Sequence, residues 1–315
     1  MIKGFVTIAT GKEQYYILAR NLLRSYRDNC ENPMRFAVIA DQENEYTKEF
    51  DDIVILKKPS RSWMDKMEIL KVCPYDENIF IDADCLIYKN INFLWDIFNE
   101  ADDFSCFGQE LPLDSQEGWF TQDVAKRYRI HFITHLHGIM YFVRPGSKID
   151  EMYSLCKKII SDYHSINFSA FNDVLADEPV FALAMSVMNF HPVERKKEYY
   201  CFVPFANWIR TNYINRTVSF KNPKDGTVRN CCIVHWGHGN TLLARYKSDS
   251  QKLNYYYREP LSWKDKIKGW VLYKINLFYF ICVVSDRFCS AKKGLCWFVE
   301  RVQVKITRVL SGDNK

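Results

Sequence analysis

Two aspartates separated by one residue, Asp82-Ala83-Asp84, follow directly on the apolar run Asn78-Ile79-Phe80-Ile81. A run of that kind suits a strand buried between helices, and the C-terminal edge of such a strand is where open α/β sheets place their ligands. Where strand gives way to loop the backbone bends, so both carboxylates can turn toward one cation. One or two carboxylates that leave coordination positions open for phosphate oxygens are the usual magnesium or manganese arrangement in phosphate chemistry. Asp82 and Asp84 are therefore expected to be metal ligands for a substrate that carries a diphosphate. An Asp-x-Asp pair on a solvated loop means little by itself; here a second apolar run, Cys85-Leu86-Ile87-Tyr88, follows it closely.

A second group of residues fits the same chemistry. His235 ends the apolar run Cys231-Cys232-Ile233-Val234 and precedes Trp236-Gly237-His238-Gly239-Asn240, with Arg245 and Lys247 on a helical stretch beyond. An imidazole at a strand end can complete a cation site begun by two distant carboxylates, and glycines let the backbone approach phosphate. A third group, His131, His135 and His137, lacks the complementary ligand pair of zinc patterns and is expected to line the acceptor side instead.

These residues need a scaffold that brings strand ends together. Gly4 to Thr10 reads as a buried strand, and Gly11-Lys12 turns the chain into a helix with Ile17, Leu18, Leu22 and Leu23 at helical spacing. Phe36 to Ala40, ending at Asp41, and Ile53 to Leu56 read as further strands, and Trp63 onward as a helical stretch bearing Lys66. That alternation predicts an α/β fold with a mostly parallel, doubly wound sheet. Phe93 to Phe98 predicts a short helix, Phe104 to Gln109 a strand, and Leu111 to Phe120 an irregular loop. His137 to Val143 predicts a strand, Ile149 to Tyr163 a helix, and Asp177-Glu178-Pro179 the start of a helix through Met188. Residues 201–236 read as short strands and turns.

The chain has 315 residues, 48% of them hydrophobic and 16% aromatic, which excludes a disordered protein. Its net charge of +5 is unevenly placed: residues 261–315 hold eleven Lys/Arg against four Asp/Glu, leaving +7 there and −2 in residues 1–260. A near-neutral body argues against nucleic acid as a partner, while the cationic tail points to an anionic surface, a bilayer foremost. In that tail Trp270, Phe278, Phe280, Trp297 and Phe298 alternate with Lys266, Lys268, Lys274, Lys292, Lys293 and Arg301. It is too charged to span a bilayer and reads as basic amphipathic helices lying in the interface. Two parts are thus expected, a catalytic domain over 1–260 and a membrane-association segment over 261–315. The eleven cysteines, Cys106, Cys231, Cys232 and Cys282 among them in apolar contexts, show no Cys-x-x-Cys spacing and read as buried free thiols of a reducing compartment. With no signal segment after Met1, the expected location is cytoplasmic and peripheral on the inner face of a membrane.

In order, Phe5-Val6-Thr7-Ile8-Ala9-Thr10 with Tyr15 behind it, Lys66, Tyr75-Asp76, Asp82-Ala83-Asp84, Gly138, Ala176-Asp177-Glu178 and Ile233-Val234-His235 resemble the family 8 glycosyltransferases. These are GT-A fold enzymes that include glycogenin and the bacterial lipopolysaccharide galactosyltransferases and glucosyltransferases, and the similarity spans roughly residues 1–250. The resemblance implies a nucleotide-sugar donor, UDP-linked, and a glycan or glycolipid acceptor, with transfer of a hexose and retention of anomeric configuration. It implies that Asp82, Asp84 and His235 hold Mn2+ or Mg2+ across the diphosphate, and that Thr7, Tyr15 and Asp41 lie at the nucleoside. Ala9, Lys66, Asp82, Ala83, Gly237, Arg245 and Lys247 complete the implied donor-binding set, and Lys66 and Asp177 are the implied catalytic residues, Asp177 facing the transferred sugar.

The chain departs from the family pattern at three points. The family's His-x-x-Gly-x-x-Lys becomes His235 with glycines at 237 and 239 and Thr241 in the lysine's place, so Arg245 or Lys247 would supply that charge. Asn-Ser-Gly becomes Leu136-His137-Gly138, and Asp-Gln becomes Asp177-Glu178. Other readings of the acidic pair fit less well. A sugar-phosphate nucleotidyltransferase would start with a Gly-rich, Arg-containing loop that Thr10-Gly11-Lys12-Glu13 does not supply, and a phosphohydrolase would want a hydroxyl residue where Cys85-Leu86-Ile87 stands. A noncatalytic nucleotide-sugar-binding or membrane scaffold protein is the alternative of a different class.

Overall fold

The computed structural model describes residues 1–115, 122–163, 175–194, 199–203, 206, 208–222, 225–237, 240–242 and 244–256. The predicted membrane-association segment 261–315, the expected boundary at 260, and Cys282 lie outside the described residues. The described chain divides into two compact units: residues 1–23, 32–83 and 92–196 form the first, and 24–31, 84–91 and the described residues from 197 on form the second.

The first unit is built on a seven-stranded sheet. β1 (Lys3–Ala9), β2 (Arg35–Ala40), β3 (Asp52–Ile55) and β4 (Glu77–Ile81) pair in parallel in the order β3-β2-β1-β4. Beyond β4 come β7 (Ile133–Val143), antiparallel to it, then β6 (Phe104–Leu111), antiparallel to β7, and the two-residue β8 (Val193–Glu194), parallel to β6. β7 is therefore the reversed strand in an otherwise parallel sheet. Every residue of β4, and β2 after Arg35, is buried, which explains why these strands read as continuous apolar runs: both faces are covered.

Gly11, with φ +84°, turns the chain from β1 into α1 (Glu13–Asn29), whose residues 24–29 count with the second unit. Within the first unit α5 (Ser147–Ser161) buries Ile149, Met152, Cys156 and Ile159 at helical spacing. α6 (Asp177–Met188) is buried nearly all round from Pro179 to Ser186, so its sequence is apolar without a polar stripe, and it stops where Asn189 takes the left-handed conformation. Phe181 of α6 packs on Phe104 and Tyr141, with ring centroids 5.1 and 4.8 Å apart, seating the helix on β6 and β7. The strand around His137 is longer than the sequence pattern predicts, starting at Ile133, and the strand from Phe104 runs on to Leu111. The predicted short helix is α3 (Leu94–Ile97); residues 116–121 of the predicted loop lie outside the described residues, and α4 (Gln122–Tyr128) follows.

The second unit holds two small sheets. β5 (Cys85–Ile87) pairs antiparallel with β13 (Ile233–His235), which pairs in parallel with β9 (Tyr200–Phe202). β10 (Trp208–Asn212), β11 (Thr217–Lys221) and β12 (Val228–Asn230) form an antiparallel meander. Buried polar contacts fasten these pieces: Tyr88 Oη donates to Asp249 of α7 (Ala244–Tyr256) at 2.8 Å, and Asn29 Nδ2 donates to the Ile87 carbonyl at 3.0 Å and to Tyr213 Oη at 3.2 Å. The eight described cysteines are free thiols. No described helix is long and apolar enough to cross a membrane.

Candidate functional site

Lys66 lies in a 3-10 helix, Trp63–Glu68, that runs into the single α-helical turn α2 (Ile69–Val72). Ser62 caps it by accepting from the Met64 N–H, and Asp65 anchors it to the end of β1. One Asp65 oxygen accepts from Thr10 Oγ1 at 2.6 Å and from the Arg61 N–H at 3.0 Å, while the other accepts from the Ser60 N–H and Oγ. So held, Lys66 Nζ stands 2.9 Å from Asp82 Oδ1 and 3.2 Å from Asp177 Oδ2. These side chains come from the helical turn before β4, the end of β4 and the first turn of α6. Burial disfavours the Lys66 ammonium, yet Asp177 and then Asp82 beside it hold its pKa above the ordinary lysine value. Lys66 is therefore charged at neutral pH.

Two neighbours complete this cluster. Tyr141 Oη, from β7, donates to Asp177 Oδ2 at 3.2 Å. Glu178, next to Asp177, accepts from the Gly138 N–H at 2.7 Å. Burial first, and the Asp177 charge second, push the Glu178 carboxyl up to about 7. Asp82, Asp177 and Glu178 therefore crowd one ammonium. Sequence reasoning gave Glu178 no role. Its placement at a helix start beside another acid was visible; its pairing with a backbone N–H forty residues earlier was not.

In the second unit, His235 Nε2 lies 3.0 Å from Asp84 Oδ1. Asp84 and His235 are also joined through the chain, because the Asp84 carbonyl accepts from the Trp236 N–H at 3.2 Å. The Phe202 ring stacks on the imidazole with centroids 4.8 Å apart, fixing its plane. Cys85 faces His235 directly in the β5–β13 register, and donor atoms of Asp84, Cys85 and His235 all lie within 4.8 Å of one another. Carboxylate oxygen and imidazole nitrogen suit a transition-metal ion such as manganese better than magnesium, which prefers oxygen alone. Asp82 belongs to the first unit and Asp84 to the second, with Ala83 between them in the chain.

Of the other expected residues, Asp41 sits at the end of β2, accepting from Tyr16 Oη and the Gly11 N–H and pairing with Arg61 Nε at 3.4 Å. Burial opposes its charge, but Tyr16, Gly11 and Arg61 together hold the carboxyl below the usual range, and burial with Asp41 pushes Tyr16 up to about 12. Tyr15 is half-buried one position away. Thr7 and Ala9 are buried in β1, and Thr7 Oγ1 has no hydrogen-bond partner among the described residues. Gly237 has φ +72°, Arg245 is buried and Lys247 half-buried on α7. His135 and His137 share a face of β7, with ring centroids 6.1 Å apart.

No family model matches the chain, and no curated protein matches it in sequence. Solved structures similar in fold include two glycosyltransferases. One is the bifunctional glycosyltransferase WbbM in its apo form, at a TM-score of 0.49 and 11% identity over 87% of this chain. The other is the galactosyltransferase LgtC in complex with donor and acceptor sugar analogs, at a TM-score of 0.47 and 11% identity over 80% of this chain and 94% of its own. The present chain spans about half, 51%, of the WbbM chain.

Proposed function

We propose that this chain is a divalent-metal-dependent glycosyltransferase of the GT-A kind, similar to family 8, that moves a hexose from a UDP-sugar to a glycan or glycolipid with retention of configuration. The observation that carries the reading is the double fate of the Asp82-Ala83-Asp84 segment: Asp82 ends a buried strand in an ion pair with Lys66, and two residues on Asp84 pairs with His235. A covalent link of three residues keeps the Cα atoms of Asp82 and Asp84 within about 7 Å.

Asp84 and His235 would hold the cation, which supplies Lewis-acid stabilisation to a departing diphosphate. The chain's own part is electrostatic and positional. Lys66 and the Tyr141 hydroxyl hold the Asp177 carboxyl fixed in direction, as a group that orients a sugar hydroxyl must be. Glu178 offers a carboxyl that changes protonation near neutrality, suited to exchange a proton with a hydroxyl. Asp41, Tyr16 and Gly11 at the end of β1 and β2 form a polar corner suited to the nucleoside. The cationic segment 261–315 would bring the enzyme to an anionic membrane face where a lipid-linked acceptor of surface polysaccharide or lipopolysaccharide synthesis lies.

Calorimetry of UDP binding with and without Mn2+, in the wild type and in Asp84→Ala, tests this. Metal-dependent binding lost in the variant is expected, followed by release of UDP from one UDP-sugar. Binding without turnover of any UDP-sugar or acceptor would instead mark a noncatalytic sugar-nucleotide receptor.

A further inference from the structure

We propose that Cys85 is a ligand in the cation site of Asp84 and His235, and that this site takes thiophilic divalent ions, zinc above all, in competition with manganese. The inference rests on reading Asp84 and His235 as a cation site, and adds a donor that the motif does not contain. Directly opposed residues of an antiparallel pair project from the same face with Cβ atoms about 4.5–5.5 Å apart. Cys85 and His235 are such a pair, Val234 and Leu86 following in register. Thiol, imidazole and carboxylate thus converge, their donor atoms within 4.8 Å of one another. One carboxylate, one thiolate and one imidazole make three protein ligands, the number in a tetrahedral zinc site that keeps a fourth position open.

The surroundings favour it. Phe202 stacks on the imidazole and holds its plane, and the Trp236 N–H to Asp84 carbonyl bond fixes the backbone beside both ligands. Cys85 is fully buried, so bulk water does not compete for the sulfur and only an ion already held by Asp84 and His235 reaches it. On binding, the thiol proton leaves to solvent and the thiolate bonds the metal. Hard manganese gains little from sulfur, whereas zinc, cobalt and cadmium gain a soft ligand. The same three side chains would therefore discriminate between ions by softness.

Cobalt(II) titration of the reduced full chain, followed by absorption, tests the ligand directly. A sulfur-to-cobalt charge-transfer band is expected in the wild type, absent from Cys85→Ser and from His235→Ala, which separates it from the other cysteines. Zinc affinity of Cys85→Ser should fall by at least about tenfold, the loss that removing even an outer-sphere partner produces. Cys85→Ala serves as the second variant, and thermal melting of each confirms folding. Manganese binding is followed separately by loss of the free-ion paramagnetic resonance signal. Manganese binding with no charge-transfer band, or a band unchanged in both Cys85 variants, overturns the inference while leaving the cation site standing. Binding of neither ion to the folded wild type overturns both.

Discussion

Gly138 donates its backbone N–H to Glu178 Oε1 across a gap with no room for a β-carbon, which would lie 2.6 Å from Glu178 Cγ and 2.9 Å from Tyr141 Oη. β7 and the first turn of α6 therefore meet through backbone on one side and carboxyl on the other. Gly138→Ala must push Glu178 away or shift α6. It is expected to destabilise the fold by about 1–3 kcal/mol, as overpacking does, and to lower turnover more than donor binding. Urea denaturation alongside steady-state kinetics checks both.

The half-buried ammonium at Lys66 neutralises Asp82 and Asp177. Lys66→Met leaves two carboxylates facing each other without a counter-charge, and a loss of about 3–5 kcal/mol is expected. Combining it with Asp177→Asn should recover part of that loss. Additive effects in the double-mutant cycle would show that the two groups do not interact.

Glu178 gives stability a pH dependence of definite sign. Its carboxyl ionises at the ordinary value of 4.5 when unfolded and at about 7 when folded. Between those values the folded chain keeps a proton that the unfolded chain has released, so this group's contribution falls as pH rises from about 4.5 to about 7 and stays low above. Glu178→Gln keeps an acceptor for the Gly138 N–H and removes the ionisation. It should be more stable than the wild type near pH 8, by about 1.4 kcal/mol for each tenfold by which folding weakens the acid, and no more stable near pH 4. Chemical denaturation at the two pH values reads the difference, and an equal effect at both would show that Glu178 titrates normally.

If Asp84 and His235 hold a cation, Mn2+ must stabilise the folded chain by mass action. A rise in melting temperature with added Mn2+ is expected for the wild type, smaller in His235→Ala and absent in Asp84→Ala. Differential scanning calorimetry over a Mn2+ series measures it, and equal shifts in all three proteins would place the cation elsewhere.

Tyr88 and Asp249 form a buried pair with no assigned part in metal or sugar binding, so they supply a control. Tyr88→Phe leaves an Asp249 oxygen without its donor and should cost about 1–3 kcal/mol while leaving donor affinity unchanged. A change in donor affinity at constant stability would give the pair a part in binding.

Much of this was legible in the residues. The β4 run and its stop at Asp82, the start of α6 at Asp177 with Pro179 inside the first turn, and its end at Met188 follow from local chemistry: apolar continuity, acids at a helix start, proline where no N–H is needed. The ion pairs of Lys66 were not legible, since a lysine among apolar residues does not name its partners. Nor was the register that sets Cys85 opposite His235, because pairing between segments 150 residues apart depends on which faces are buried. Asp41 shows the smallest gap of this kind: the side chain bonded to it is Tyr16, one helix position beyond the Tyr15 that the pattern singled out, a turn of about 100° that only the packed helix fixes. β8, two residues long, carries no periodicity to read.

Asp65 also separates two kinds of residue that adjoin in sequence. By gathering Thr10, Ser60 and Arg61 onto one carboxylate it fastens the chain immediately before Lys66, while Lys57, Lys58 and Trp63 stay exposed around that knot. Variation at those exposed positions can reshape the neighbouring surface without moving the ammonium. A library randomised at 57, 58 and 63 is thus a place to diversify recognition while the buried charge network is inherited intact.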